Sequence, residues 1–312
     1  DEILSQILEP EEIQAQGGSF VLPFLHLPPD NLFALRAERL ESLAAGNPMA
    51  DYLRLIASLC RVQQSLLDQP PQHWTPDNQR LDLCRQHGLP PLAADSLVRE
   101  VHWQVYLQAL LQRFQPANDQ VGQALDRLRD ADEGQLKVWA ISLLSGQYAG
   151  LPAALVPFLG AALQAAWSQW LLTLPTDNLK PCDSLNQCPA CGSPAMAGVI
   201  RHRGKYTGLR YLVCSLCACE WHVVRVKCVY CEQSKGLKYV SLDDDRVAAD
   251  KAPLRAEVCP GCNSYLKHIY LENDAQAEAL SADLSSLMLD MRLDLDGVQR
   301  IAPNLMLAPG EA

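Results

Sequence analysis

From residue 30 to 174 apolar side chains return every three or four positions; from 195 to 271 they come in short, partly alternating runs. The first spacing suits helices buried on one side and the second suits strands. Asp30 precedes a series carrying Leu32, Phe33, Arg36, Arg39, Leu40 and Leu43, with Gly46 near its end, which predicts a helix capped by Asp30. Asn47-Pro48 offers a cap and a first-turn proline for a second helix with Tyr52, Leu53, Ile56, Leu59, Cys60, Leu66 and Leu67. Gln69-Pro70-Pro71 ends it. Asp77 and Gly88 bracket a short third helix. Asp95 or Ser96 is expected to cap a fourth, with Val98, Val101, Val105 and Ala109 facing inward. Further helices fit 117–129, 132–146 and 154–174. No period of ~34 or ~40 residues stands out, so a helical solenoid is not expected.

No charged side chain occurs from Val138 to Thr176. Leu151 to Leu174 is long enough to cross a bilayer, but Pro152, Pro157, Gln164, Ser168 and Gln169 interrupt it. The expectation is a helical pair at the centre of a bundle, with no membrane span. Residues 174–187, with two prolines and no apolar period, read as a linker that separates two cores. Beyond it strands are expected at Val199–Arg203, Leu209–Val213, Trp221–Val226, Leu237–Leu242 and Tyr265–Leu271. The domains predicted are 1–178, helical; 179–226; and 227–312, ending in a helix.

Ten of the twelve cysteines lie between Cys182 and Cys262, and eight form four Cys-x-x-Cys pairs. Two cysteines three apart in a tight turn aim both sulfurs at one ion. A hairpin that joins two such turns completes a tetrahedral site. Consecutive pairing gives Cys188, Cys191, Cys214 and Cys217 one ion, and Cys228, Cys231, Cys259 and Cys262 a second; interleaved pairing would use the same residues. Gly192 and Gly261 are expected to ease the turns. Tetrathiolate sites suit zinc and iron alike and imply a reducing compartment. Cys60, Cys84 and Cys219 read as buried packing thiols, Cys182 has no evident partner, and His202, His222 and His268 read as ordinary strand residues rather than ligands.

With 312 residues and 48% hydrophobic content the chain can build a sizeable core of two or three domains. Its start at Asp1 among acidic residues shows no secretory leader pattern. The formal net charge of −10 argues against a general nucleic-acid binder. Charge is uneven, however: residues 188–238 carry 8 basic and 2 acidic side chains. Arg201, Arg203, Lys205, Arg210, Arg225 and Lys227 are expected to line a basic face there. No phosphate loop, zinc-protease signature or nucleophile triad is apparent, so no catalytic residue is assigned.

Several stretches together resemble a known family. They are Cys-Pro-Ala-Cys-Gly-Ser-Pro at 188–194, Cys-Ser-Leu-Cys at 214–217, the run Glu220 to Cys231, and Cys-Pro-Gly-Cys at 259–262 with Tyr265-Leu266-Lys267. Arg-x-x-Arg-Leu at 36–40 and Asn-Pro-Met-Ala-Asp-Tyr-Leu at 47–53 agree. The chain resembles FdhE, the formate dehydrogenase accessory protein family, over essentially its whole length. The resemblance implies an α+β fold, an N-terminal all-α bundle followed by two tandem rubredoxin-like or zinc-ribbon β modules. It implies a cytoplasmic protein that is no enzyme itself, binds the catalytic subunit of a respiratory formate dehydrogenase and is needed for its activity. It maps two metal ions, iron favoured over zinc, onto the eight paired cysteines. The alternatives are a nucleic-acid-binding zinc ribbon, for which Tyr206, Tyr211 and Trp221 offer stacking rings, and an iron-based electron carrier.

Overall fold

The computed structural model describes residues 23–177, 179–242 and 247–308; the acidic stretch at the start of the chain lies outside them. Helix α1 (Leu32–Ala44) begins after Asn31 with no side-chain cap. Asp30 does not cap it, because the Pro28-Pro29 turn already supplies a carbonyl: Leu32 N–H donates to Pro29 O. Helix α2 (Ala50–Asp68) follows a turn in which Asn47 Oδ1 accepts from Met49 N–H. Helix α3 (Asn78–His87) has the expected ends: the Asp77 carboxylate accepts from Arg80 N–H, and Gly88 is left-handed.

The fourth helix is two. α4 (Ala94–Glu100) and α5 (Gln104–Arg113) are separated by Val101, which is extended. The Trp103 indole N–H fills the gap by donating to Val98 O. Asp95 and Ser96 lie inside the first turn of α4, where the Asp95 carboxylate accepts from Ser96 N–H, and neither caps it. Val98 and Ala109 are buried as expected; Val101 and Val105 are half-buried. Helices α6 (Asp119–Asp130) and α7 (Glu133–Ser145) start at Asn118 and Asp132, whose side chains accept from Val121 and Gln135 N–H.

Helix α8 (Val156–Leu172) organises the bundle. Sixteen of its 17 residues are buried, so it is apolar all round because it has no outer face. With the 3-10 turn Ala153–Leu155 before it, this is the one helix among the described residues long and apolar enough to cross a bilayer, and 94% of its apolar window is buried inside the protein. α2, α5 and α7 pack round it.

The second half forms one sheet, which also takes in a short strand from before the first helix. Strands β1 (Leu25–His26), β2 (Ala195–Ile200), β3 (Arg210–Cys214), β4 (Glu220–Val223), β5 (Lys238–Val240), β6 (Leu254–Cys259) and β7 (Ser264–Tyr270) lie in the order β1-β4-β3-β2-β7-β6-β5. β8 (Gln299–Arg300) pairs with β7. The order is that of two antiparallel ribbons joined by a parallel pairing of β2 with β7, with Gly198 opposite His268. Strand β6 was not expected, because Arg255 and Glu257 break its apolar run. The reason it holds is that Glu257 is buried against the guanidinium of Arg210 at 3.1 Å.

The expected C-terminal helix is two short ones, α9 (Ala279–Ser285) and α10 (Leu287–Leu295). A buried ionic network fastens them to the sheet. Lys267 Nζ, on β7, meets Asp283 at 3.0 Å and also Asp290. Arg300 meets the same two carboxylates at 2.6 and 2.7 Å, and Asn304 Nδ2 donates to Asp283.

The two halves share one apolar core; the linker does not separate them. The C-terminal tail also crosses back onto α8, burying Leu305 and Met306, and Tyr52 O–H donates to Met306 O. It fits only because residue 160 is glycine: a Cβ there would fall 1.9 Å from Leu305 O. Gly160→Val is therefore expected to displace the tail and forfeit the burial of two large side chains, ~3 kcal/mol or more. Rapid proteolytic trimming of the C-terminus, with a lowered melting temperature, would show it; a tail as protected as in wild type would contradict it.

Candidate metal centres

Each Cys-x-x-Cys pair sits in the same small loop. The first cysteine N–H closes it by donating to the carbonyl five residues on: Cys188 to Ser193, Cys214 to Cys219, Cys228 to Gln233. In the fourth loop Cys259 and Ser264 face each other across β6 and β7. The residue after each second cysteine is left-handed: Gly192, Ala218, Glu232 and Asn263, with φ from 52° to 74°. Only one of the four is glycine, so this turn left little trace in the sequence. Gly261, expected to ease its turn, instead makes room for Gln233, whose Nε2 would lie 2.1 Å from a Cβ there. Gln233 Nε2 itself donates toward Cys259 Sγ, a contact not foreseen.

The loops meet in two quartets, by consecutive pairing. Cys188, Cys191, Cys214 and Cys217 form one, and Cys228, Cys231, Cys259 and Cys262 the other, with the sulfurs of each within 4.8 Å of one another. Closest approaches are 3.6 Å for Cys188–Cys217, 3.4 Å for Cys191–Cys214, 3.7 Å for Cys228–Cys262 and 3.6 Å for Cys231–Cys259. A tetrahedron with metal–sulfur bonds of ~2.3 Å has edges of about 3.8 Å. Each quartet thus has the donors and spacing to hold one tetrahedral ion. Leu216 and Cys217 N–H also point at Cys214 Sγ. None of the twelve cysteines is paired in a disulfide.

The first quartet is set in the helical core. Gln164 Nε2 on α8 donates to Ser215 O at 3.0 Å, and Ser168 Oγ donates to Cys217 O. Leu92 and Ala94 N–H donate to Ala190 and Cys191 O. Gln169 Oε1 takes the Tyr106 hydroxyl. The polar residues of the uncharged stretch therefore anchor the first metal loops and the bundle. Sequence counted them only as interruptions.

Outside the quartets, burial pushes the Cys60 thiol up to about 12, as suits a packing residue. Cys84 and Cys219 are buried, and Cys182 is half-buried, its Sγ near Cys188 O. His268 is fully buried and packed over Gly198, with its pKa pushed well down by burial. It is a strand residue, but a buried one and not a surface one. The basic face also shrinks. Arg210 is wholly buried, Arg201 is paired with Glu220 over the Tyr211 ring, and Lys227 is paired with Glu232. Arg203 and Arg225 remain exposed, as do Lys235 and Lys238. Tyr211 and Trp221 are buried, their polar atoms donating to Pro23 and Leu185 O, so neither offers a ring for stacking bases.

Three family models cover the chain in succession. FdhE, N-terminal, matches residues 21–184; FdhE, central domain, 187–225; and FdhE, C-terminal domain, 226–307. The chain belongs to the FdhE family. A protein FdhE homolog of Pseudomonas putida is 67% identical, over 99% of this chain and 97% of its own. Another, from Pseudomonas aeruginosa, is 60% identical over 97% and 98%. The crystal structure of the FdhE protein from Pseudomonas aeruginosa superposes with a TM-score of 0.88 at 60% identity, covering 93% of this chain and 100% of that one. The helical region followed by a sheet with two cysteine quartets agrees with that structure, and FdhE membership supports a formate dehydrogenase accessory protein.

Proposed function

We propose that this chain is a cytoplasmic maturation factor that captures the catalytic subunit of a respiratory formate dehydrogenase, holds one iron ion in each cysteine quartet, and turns over no formate. The observation that carries the reading is membership of the FdhE family from residue 21 to 307. The quartets support the metal half of it: eight thiols at tetrahedral spacing need a cation to ionise together in so small a volume. The eight cysteines are the residues that would ligate. The burial of Arg210, Tyr211 and Trp221 weighs against a nucleic-acid ribbon.

The exposed basic groups Arg203, Lys235 and Lys238, on a chain of net charge −10, are the natural place for an acidic patch of the partner to land. Purified catalytic subunit should bind the wild-type chain at low salt. The variant R203E/K235E/K238E should associate roughly tenfold more slowly, and 0.5 M salt should remove most of the difference. Its circular dichroism should match wild type, since exposed charges contribute little to stability. Equal association rates would move docking to another face. Absence of binding by either protein would refute the capture reading.

A further inference from the structure

The two quartets are alike in donors and spacing but opposite in surroundings. In the first, Cys188 and Cys217 are 0% exposed and Cys191 and Cys214 1%. Its loops are covered by α8 and by the segment leading into α4, and their carbonyls are taken by Gln164, Ser168, Leu92 and Ala94. In the second, Cys231 is exposed and Cys262 half-buried. The rim around them, Glu232, Pro260, Gly261 and Asn263, is exposed as well. Val229, Tyr230 and Leu254 reach the shared core from this side, yet Cys231 stays exposed.

We propose that the second quartet is an exchange site, open to an outside ligand through Cys231, and that the first is a permanent site whose ion stays for the life of the fold. A competing donor reaches the second set from the Cys231 side. Cys231 Sγ gives up its bond and takes a proton as the competitor's donor atom takes its place; the remaining three thiolates follow. No electron changes hands. The same competitor meets no sulfur at the first quartet until the α8 contacts and the shared core open, and such sub-global opening is rare in the native state. A cavity lined by Cys191, Gly192 and Ser193 opens beside this quartet, but Cys191 is still covered there. This ranking of the sites holds whatever partner the chain serves.

The test uses the full chain loaded with two equivalents of zinc and mixed with excess 4-(2-pyridylazo)resorcinol, whose absorbance reports released zinc. One equivalent should leave quickly and the second on the order of 100-fold more slowly. Urea below the unfolding midpoint should speed the slow phase steeply and the fast phase little. Cys231→Ser should abolish the fast equivalent and leave the slow one, its rate unchanged. Release of both equivalents in one phase would overturn the proposal, as would a fast phase that survives Cys231→Ser. A chain that takes up only one equivalent would overturn it at the outset, and with it the two-ion reading.

Discussion

Cys191→Ser and Cys214→Ser chains will lose most of the helical circular dichroism of the wild type, while Cys231→Ser and Cys262→Ser chains will keep it. The first pair belongs to a quartet inside the core that α8 organises. Without its ion that core holds thiols 3.4–3.6 Å apart and loop carbonyls tied to Gln164 and Ser168. Thiolate binding contributes on the order of 10 kcal/mol in small zinc modules, as much as the whole stability of a typical domain, ~5–15 kcal/mol. The bundle is therefore expected to unfold with the first site as one cooperative unit. The second quartet joins the loop between β4 and β5 to the turn between β6 and β7, with Cys231 exposed and Cys262 half-buried, and its loss should be confined to residues 227–263. Far-ultraviolet dichroism and thermal melts of the four variants check this. A Cys214→Ser chain melting with normal helical amplitude would show that the linker does separate two cores.

Asp283→Ala should lower stability by ~3–5 kcal/mol, because it leaves Lys267 and Arg300 short of a partner in a site almost without solvent. For a chain of this size that is on the order of 10 °C in melting temperature. Burial alone would raise the Asp283 carboxyl; Arg300 and Lys267 outweigh it and hold the pKa well below the usual range. A carboxylate so held stabilises the fold fully above its unfolded pKa of about 4, and that share is lost as pH falls further toward the folded value. Wild type should thus weaken steeply below pH 4, and Asp283→Asn should show a flatter acid limb. Melts at pH 7, 5, 4 and 3 decide it; parallel acid limbs would remove Asp283 as the source.

Both quartets were legible because ligand spacing is local: two sulfurs three residues apart and a hairpin between turns are written in consecutive residues. The caps at Asp77 and Gly88 were legible for the same reason. What escaped notice depends on partners far along the chain. Glu257 is tolerated inside β6 only because Arg210, 47 residues earlier, is buried with it. Gln164 and Ser168 look like flaws in an apolar helix until Ser215 and Cys217 are placed against them. The left-handed turns at Ala218, Glu232 and Asn263 escaped because a metal loop can hold a non-glycine residue in that conformation.

The parallel seam between β2 and β7 limits how the chain can be divided. Each ribbon has its own cysteines and hairpin, and each looks portable. Yet a cut near residue 226 would strip one neighbour from both β2 and β7 and expose two open strand edges, including Gly198–Ile200 and His268–Tyr270. Exposed edges of this kind recruit other strands. Fragments made at that point would be prone to pair with copies of themselves, so a cysteine quartet in an excised ribbon would be studied in an assembly built on edges that the intact sheet keeps paired.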